Sequence, residues 1–337
     1  MTELNQPAPP GKFLVDPYQE WAKGEGIQIH AGAAVDLLTA ETKPWARFGV
    51  NGAFCHLDGR DDFLTVFLVE LAPNTASAPQ KHLYEEVCYV LSGQGVTEFE
   101  LVNGSKQTIE WGPRSLFAVP MNARYRHRNT SSAPVRIAAV NDLRYLLSLY
   151  RNQQFIFDTP VAFPDGAGET LLVPDAATAK AGALANGTLG ADVEELAPGT
   201  YRQAARQMQG SHLFGVGGEG YTLAWEEGAQ NFARTEWRHG IVYAPPGMAF
   251  HQHFNAGATP ARYLEVQLGS LRHPMLRSRR AAYGDTTVYA AGNAIIPYAE
   301  QDPRIHKIWL DAIAGKGVTP RVPPPERGRV GEGVIAK

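Results

Sequence analysis

Short apolar stretches of strand length, broken repeatedly by glycine, proline and asparagine, run through most of the chain. Phe63 to Val69 is rich in aromatic and β-branched residues, and Val87 to Leu91 and Val96 to Leu101 flank the turn Ser92-Gly93-Gln94-Gly95. Ser115 to Val119 and Val135 to Val140 predict further strands. Helical signals are few. Asp16-Pro17 opens a short helix through Trp21 that Gly24 and Gly26 end, and Leu143 to Tyr150 has helical apolar spacing. Asp302-Pro303 caps a helix whose apolar face is Ile305, Ile308, Trp309, Ala312 and Ile313, with Gly315 as its stop. Turn signals every ~8–12 residues predict an all-β fold of sandwich or barrel type, here a jelly roll with a few short helices.

The pattern occurs twice. Glu70-Leu71-Ala72-Pro73-Asn74-Thr75 returns as Glu195-Leu196-Ala197-Pro198-Gly199-Thr200, an offset of 125, and Gly93 and Gly95 recur as Gly218 and Gly220. After one inserted residue the offset is 126: Trp111, Pro120, His127, Asn129, Pro134 and Arg136 recur as Trp237, Pro246, His253, Asn255, Pro260 and Arg262. A repeat of this length means two copies of one small domain. The expected division is a lead segment over 1–48, a first barrel over 49–150, and a linker with the opening strand of the second repeat over 151–190. A second barrel then covers 191–275, and a C-terminal helix with an extended tail covers 276–337.

Composition narrows the class. The chain has 337 residues, a net charge of −3, 34 glycines and 24 prolines, which suits two turn-rich domains without a basic stripe for nucleic acid. No apolar run reaches membrane-spanning length, and Met1 to Pro10 lacks the apolar core of a signal peptide. Two cysteines, Cys55 and Cys88, form no disulfide framework, so a cytoplasmic location is expected. No nucleophile elbow, phosphate loop or dinucleotide fingerprint is present.

In the first copy, Gln80-Lys81-His82-Leu83-Tyr84-Glu85-Glu86 is followed by a strand ending at Gly93. Here the chain resembles the cupin superfamily, whose first motif is His-x-His, three or four residues, Glu, six residues, Gly. His82, Glu86 and Gly93 match the second His, the Glu and the Gly, while Gln80 replaces the first His. In the second motif Pro120 and Asn129 match, and Tyr125 stands where the third His is expected. The second copy departs in the opposite way. Ala205 and Gln207 occupy the two His positions and Ser211 the Glu position, whereas Pro246 to Asn255 keeps the second motif, with His251 at the ligand position. This stretch, with its continuation to Leu264, resembles bacterial two-domain cupins, some labelled ethanolamine ammonia-lyase-activating proteins. In that group a His is expected at Ala205 and at Gln207, and one matching His212.

Residues two apart on a strand share a face, so ligands at such spacing converge inside a barrel. His82, Glu86 and His127 would give a two-His, one-carboxylate set of the type suited to non-haem iron. His212, His251 and His253 would give three imidazoles, with Gln207 as a weak fourth ligand, provided the strand bulges near Ser211. Against both sets stands the alternative that these are ordinary polar residues of barrels without metal. The expected cofactor is a divalent metal, Fe(II) first, with Mn, Zn or Ni also open, or none. The expected activity is a metal-dependent dioxygenase or related oxidoreductase acting on a small aromatic or enolic substrate. A non-catalytic small-molecule-binding or accessory cupin is the competing class, and a metal-independent isomerase or hydrolase the third, with Tyr125 or Glu86 as acid or base. A homodimer is expected by analogy alone. Trp111, Trp237, Asn129, Asn255 and the Pro-x-Arg pairs read as fold determinants; His127 and His253 are harder to explain by turn chemistry.

Overall fold

A computed structural model describes residues 16–59, 63–101, 104–160, 172–178, 183–184, 187–206, 211–247, 249–270 and 294–325. A lead segment carries α1 (Pro17–Glu25), β1 (Gln28–Gly32), β2 (Ala34–Asp36) and β3 (Lys43–Trp45). β4 (Val50–Leu57), β5 (Thr65–Leu71), β6 (Glu86–Ser92), β7 (Gly95–Glu100), β8 (Lys106–Trp111), β9 (Leu116–Val119), β10 (Arg124–Asn129) and β11 (Val135–Asn141) follow. Next come α2 (Leu143–Tyr150), α3 (Gln153–Asp158), β12 (Leu172–Val173) and β13 (Ala183–Leu184). The second set is β14 (Leu189–Leu196), β15 (Ala204–Arg206), β16 (Ser211–Gly217), β17 (Gly220–Trp225), β18 (Ala233–Trp237), β19 (Ile241–Tyr243), β20 (Phe250–Asn255), β21 (Ala261–Leu268) and β22 (Ala294–Ile296), closed by α4 (Pro303–Ile313).

These strands build two tandem jelly-roll barrels. In the first, a large sheet ordered β1-β4-β5-β11-β6-β9-β12 faces the small sheet β10-β7-β8. In the second, β13-β14-β21-β16-β19-β2 faces β18-β17-β20-β15-β22. The lead segment therefore serves both barrels: β1 pairs in parallel with β4, whereas β2 pairs with β19.

Strand alternation sorts the core. Val66, Leu68, Val87, Tyr89, Leu91, Ala138 and Val140 from the first large sheet pack with Leu189, Ala191, Val193, Phe214, Val216, Leu264, Val266 and Leu268 from the second. The two large sheets thus bury their apolar outer faces against each other, and this is why those strands read as continuous apolar runs. The opposite faces line the barrels. Phe67, Val69, Cys88, Val90, Phe99, Phe117 and Ile137 fill the first. The second contains a smaller apolar group of Leu196, Leu213, Trp237, Tyr243, Ala261 and Tyr263. Helix α4 covers the outside of the second small sheet, with Ile305, Trp309 and Ile313 on Tyr201, Tyr221, Leu223 and Phe254. Among the described residues no helix is long and apolar enough to cross a membrane.

Candidate functional site

On β10, Tyr125 and His127 point into the first barrel while Arg124, Arg126 and Arg128 face outward. His82, on the segment leading into β6, lies flat on the Tyr84 ring at a centroid distance of 3.5 Å. Its Nδ1 is 2.9 Å from the Tyr84 carbonyl oxygen, which only accepts, so Nδ1 carries the ring proton. Nε2 then faces the Tyr125 hydroxyl at 3.1 Å, and that hydroxyl donates to Glu86 Oε1 at 2.8 Å. All three side chains are buried. One hydroxyl proton thus lies between two acceptors, and the network is complete only when it holds one more. Burial pushes the Glu86 carboxyl up, but the adjacent His82 ring, the Tyr125 hydroxyl that donates to it and the nearby His127 bring it below the usual range. Burial, followed by the Glu86 charge, holds the Tyr125 hydroxyl well above its ordinary value, so it keeps its proton. Among the described residues Glu86 Oε2 has no partner.

Below this network sits a device that both barrels share. Trp111 Nε1 donates to Thr97 Oγ1 at 2.8 Å, and Thr97 Oγ1 meets His127 Nδ1 at 2.8 Å. In the second barrel Trp237 Nε1 donates to Thr222 Oγ1 at 3.1 Å, and Thr222 Oγ1 meets His253 Nδ1 at 2.8 Å. Indole N–H only donates, so every group is satisfied when the threonine accepts from tryptophan and passes its own proton to Nδ1. Each histidine is then the Nε2–H tautomer. The repeated His, Trp and Thr form a lock between strands, and this explains His127 and His253. Thr97 and Thr222 went unnoticed in the sequence, although they stand at the same 125 offset.

The other repeated residues are also structural. Asn129 Nδ2 donates to the carbonyls of Leu71, Ala72 and Ala133, and Asn255 Nδ2 to those of Leu196 and Thr259. Arg136 pairs with Glu70 and Arg262 with Glu195. A Cβ on Gly95 or Gly220 would come within 2.3 Å of the Trp111 or Trp237 ring.

Among the described residues the donor sets expected from the sequence do not converge on one point. Between His82 and Glu86 stands the Tyr125 hydroxyl, and His127 commits Nδ1 to Thr97. Gln80 turns its amide to the carbonyls of Arg47 and Ala78 at 2.9 and 3.1 Å. In the second barrel His212 alternates with Ser211 and falls on the face of Phe214 and Val216, in the core between the barrels, away from His251 and His253. The bulge on β16 comes later, between Gly215 and Gly217, and does not restore its parity. Among the described residues both ring nitrogens of His212 lack a partner, and burial pushes its pKa down to about 4. Gln207 lies outside the described residues. Among the described residues no three His, Cys, Asp or Glu side chains gather into a metal-holding group.

The second interior gathers a polar group of its own. His251 and His253 stand 5.4 Å apart by ring centroid, and His253 is 5.0 Å from the Tyr263 ring. Opposite the interface residues Leu264, Val266 and Leu268, strand β21 turns Tyr263, Glu265 and Gln267 inward. Gln267 pairs in register with Ser211, the position that Glu86 holds in the first copy. His251 Nδ1 reaches the Ala249 carbonyl at 3.5 Å, and the Thr222 hydroxyl holds His253 Nδ1 at 2.8 Å. Burial lowers the pKa of His251 to about 4, and burial with the neighbouring His251 lowers that of His253. Burial raises that of Glu265; Glu194 and Asp192 add to the rise, while Ser211 and Arg202 oppose it. Glu265, Gln267 and Tyr263 were missed in the sequence because alternation alone does not say which face of a strand is the outer one.

Residues 67–141 match the family model of the cupin domain. No curated protein matches the sequence. Similar solved structures include a Bacillus subtilis oxalate decarboxylase, at 12% identity and a TM-score of 0.49, covering 83% of this chain and 84% of that one. Another is the formate complex of Lactobacillus farciminis oxalate decarboxylase, at 13% identity and a TM-score of 0.49, covering 83% of this chain and 93% of that one.

Proposed function

We propose that this chain is a metal-independent cupin that takes a small aromatic or enolic carbonyl compound into its second barrel. The observation that carries the reading is the set of polar side chains gathered inside that barrel: His251 and His253 with ring centroids 5.4 Å apart, Tyr263 at 5.0 Å from His253, and the inward Glu265 and Gln267. A polar group enclosed without a partner costs about 1–3 kcal/mol, so a concentration of polar side chains in one interior favours a ligand that pairs them. Their chemistry describes that ligand. His253 Nε2–H, the Gln267 amide and the Tyr263 hydroxyl are donors for a carbonyl or carboxylate oxygen, and beside them burial pushes the Glu265 carboxyl up. His251 Nε2, with its proton on Nδ1, accepts from an enol or phenol hydroxyl. Trp237, Tyr243 and Tyr263 supply the aromatic walls.

Within this reading Glu265 and His251 are the acid and base for a keto–enol proton transfer. The first barrel has a supporting role, closed around its His82–Tyr125–Glu86 network. Iron-type dioxygenation, the other reading of the sequence, requires three donors turned to one point, and the described donor sets do not converge. The ammonia-lyase-activating label stays a resemblance of the sequence.

The test combines elemental analysis with calorimetric titration of benzoate, salicylate and phenylpyruvate. Binding by metal-free protein that weakens at least tenfold in H251A and in Q267L supports the reading. About one equivalent of bound metal, lost with H251A, refutes it; so does the absence of any binding.

A further inference from the structure

The joint between the barrels contains two buried carboxyl groups that share one hydroxyl. Asp142 ends the β11 segment, directly after Asn141, and Glu85 immediately precedes β6. Both belong to the first barrel, are less than a tenth exposed, and meet the chain where it enters the second at Gly187 to Leu189. Glu85 Oε1 accepts the Gly187 amide at 3.0 Å, and Oε2 accepts the amides of Thr188 and Leu189 at 2.5 and 2.7 Å. Asp142 Oδ1 accepts the Glu85 amide at 2.9 Å. Between the carboxyl groups stands Thr188 Oγ1, 2.5 Å from Asp142 Oδ2 and 3.0 Å from Glu85 Oε2. On its far side the same segment is tied to the end of β21, through Gly269 N to the Thr188 carbonyl at 2.6 Å and Ser270 Oγ to the Gly187 carbonyl at 2.8 Å.

Asp142 is the N-cap residue of α2, yet its side chain makes no cap hydrogen bond, because it is turned to the joint instead. The threonine has one proton and two acceptors. A proton on Asp142 Oδ2 completes the chain: Asp142 O–H donates to Thr188 Oγ1, and Thr188 O–H donates to Glu85 Oε2. Without that proton one carboxylate faces a lone pair at short range in a buried site.

We propose that Asp142, Thr188 and Glu85 form a proton-gated clasp between the two barrels, closed when Asp142 holds a proton and weakened when it does not. Burial raises the Asp142 pKa to about 6, with Glu85 adding to the rise against the hydrogen bonds from Thr188 and the Glu85 amide. Glu85 is the charged neighbour that adds to the rise of Asp142; Arg144, two residues on, is engaged with Asp16 at 2.6 Å. The clasp therefore changes state near neutral pH. A carboxyl whose folded pKa stands above its unfolded value binds its proton more tightly when folded. Its stabilisation is full at low pH and is lost as pH rises through about 6.

The variant D142N imitates the protonated form, since its amide accepts from Glu85 N and donates to Thr188 Oγ1. The measurement is hydrogen exchange of the Thr188 and Leu189 amides between pH 5 and 8, corrected for the intrinsic pH dependence of exchange. In the wild type, protection should fall by about 10-fold across this window, the part of the displaced pKa that titrates above pH 5. In D142N it should stay level. Protection independent of pH in the wild type, or the same fall in both proteins, overturns the proposal. If D142N does not fold, the wild-type profile decides alone.

Discussion

Replacing Thr97 by valine keeps the volume of the side chain and deletes one hydroxyl, so it isolates the lock that both barrels share. Two groups lose their partner, Trp111 Nε1–H and His127 Nδ1, in a place where Thr97 is fully buried and His127 is 1% exposed. Each stranded group costs about 1–3 kcal/mol, and the added methyl returns at most about 1 kcal/mol. The expected net loss is about 1–5 kcal/mol, centred near 3. Thr97→Ser keeps the hydroxyl and removes only a methyl, which predicts a loss of about 1 kcal/mol. Urea unfolding followed by tryptophan fluorescence reads the difference, and a two-barrel chain calls for comparing the two variants in the same transition. With a slope of about 2–3 kcal/mol per M, the valine midpoint should fall by roughly 1 M and the serine midpoint by less than half of that. Equal midpoints for the two variants would refute the lock, because they would mean that the hydroxyl carries none of the stability.

Two further outcomes follow from the sites. Y125H combined with Q80H removes the hydroxyl between His82 and Glu86 and supplies the two missing imidazoles, so the double variant should bind about one Co(II) or Mn(II) per chain by elemental analysis where the wild type binds none in the first barrel. His212→Leu removes two unpaired nitrogens from the core between the barrels, and should raise stability at pH 7.5 by about 1–3 kcal/mol in urea titration. The pH sign is opposite to that of the clasp: a His whose folded pKa is pushed down to about 4 stabilises above its unfolded value near 6.5, and that stability is lost as pH falls towards 4. The acid limb of the stability profile should therefore be shallower in H212L; an unchanged limb counts against the burial argument.

The sequence by itself determined the duplication and the barrel. Glycines packed against tryptophan, an asparagine closing each turn and an Arg–Glu pair on neighbouring strands all act over short distances along a register that repetition makes visible. It also located Tyr125 and His251 at equivalent positions. What it left open was which face of each strand looks into a barrel. The large sheets are apolar on one face because they pack on each other, so inward and outward cannot be told from alternation. Only the tertiary structure put His212 in the joint between the barrels, turned Glu265 and Gln267 inward, and set Thr188 between Glu85 and Asp142. Such pairings join residues far apart in the chain, and they follow from how two sheets meet, which no local pattern records.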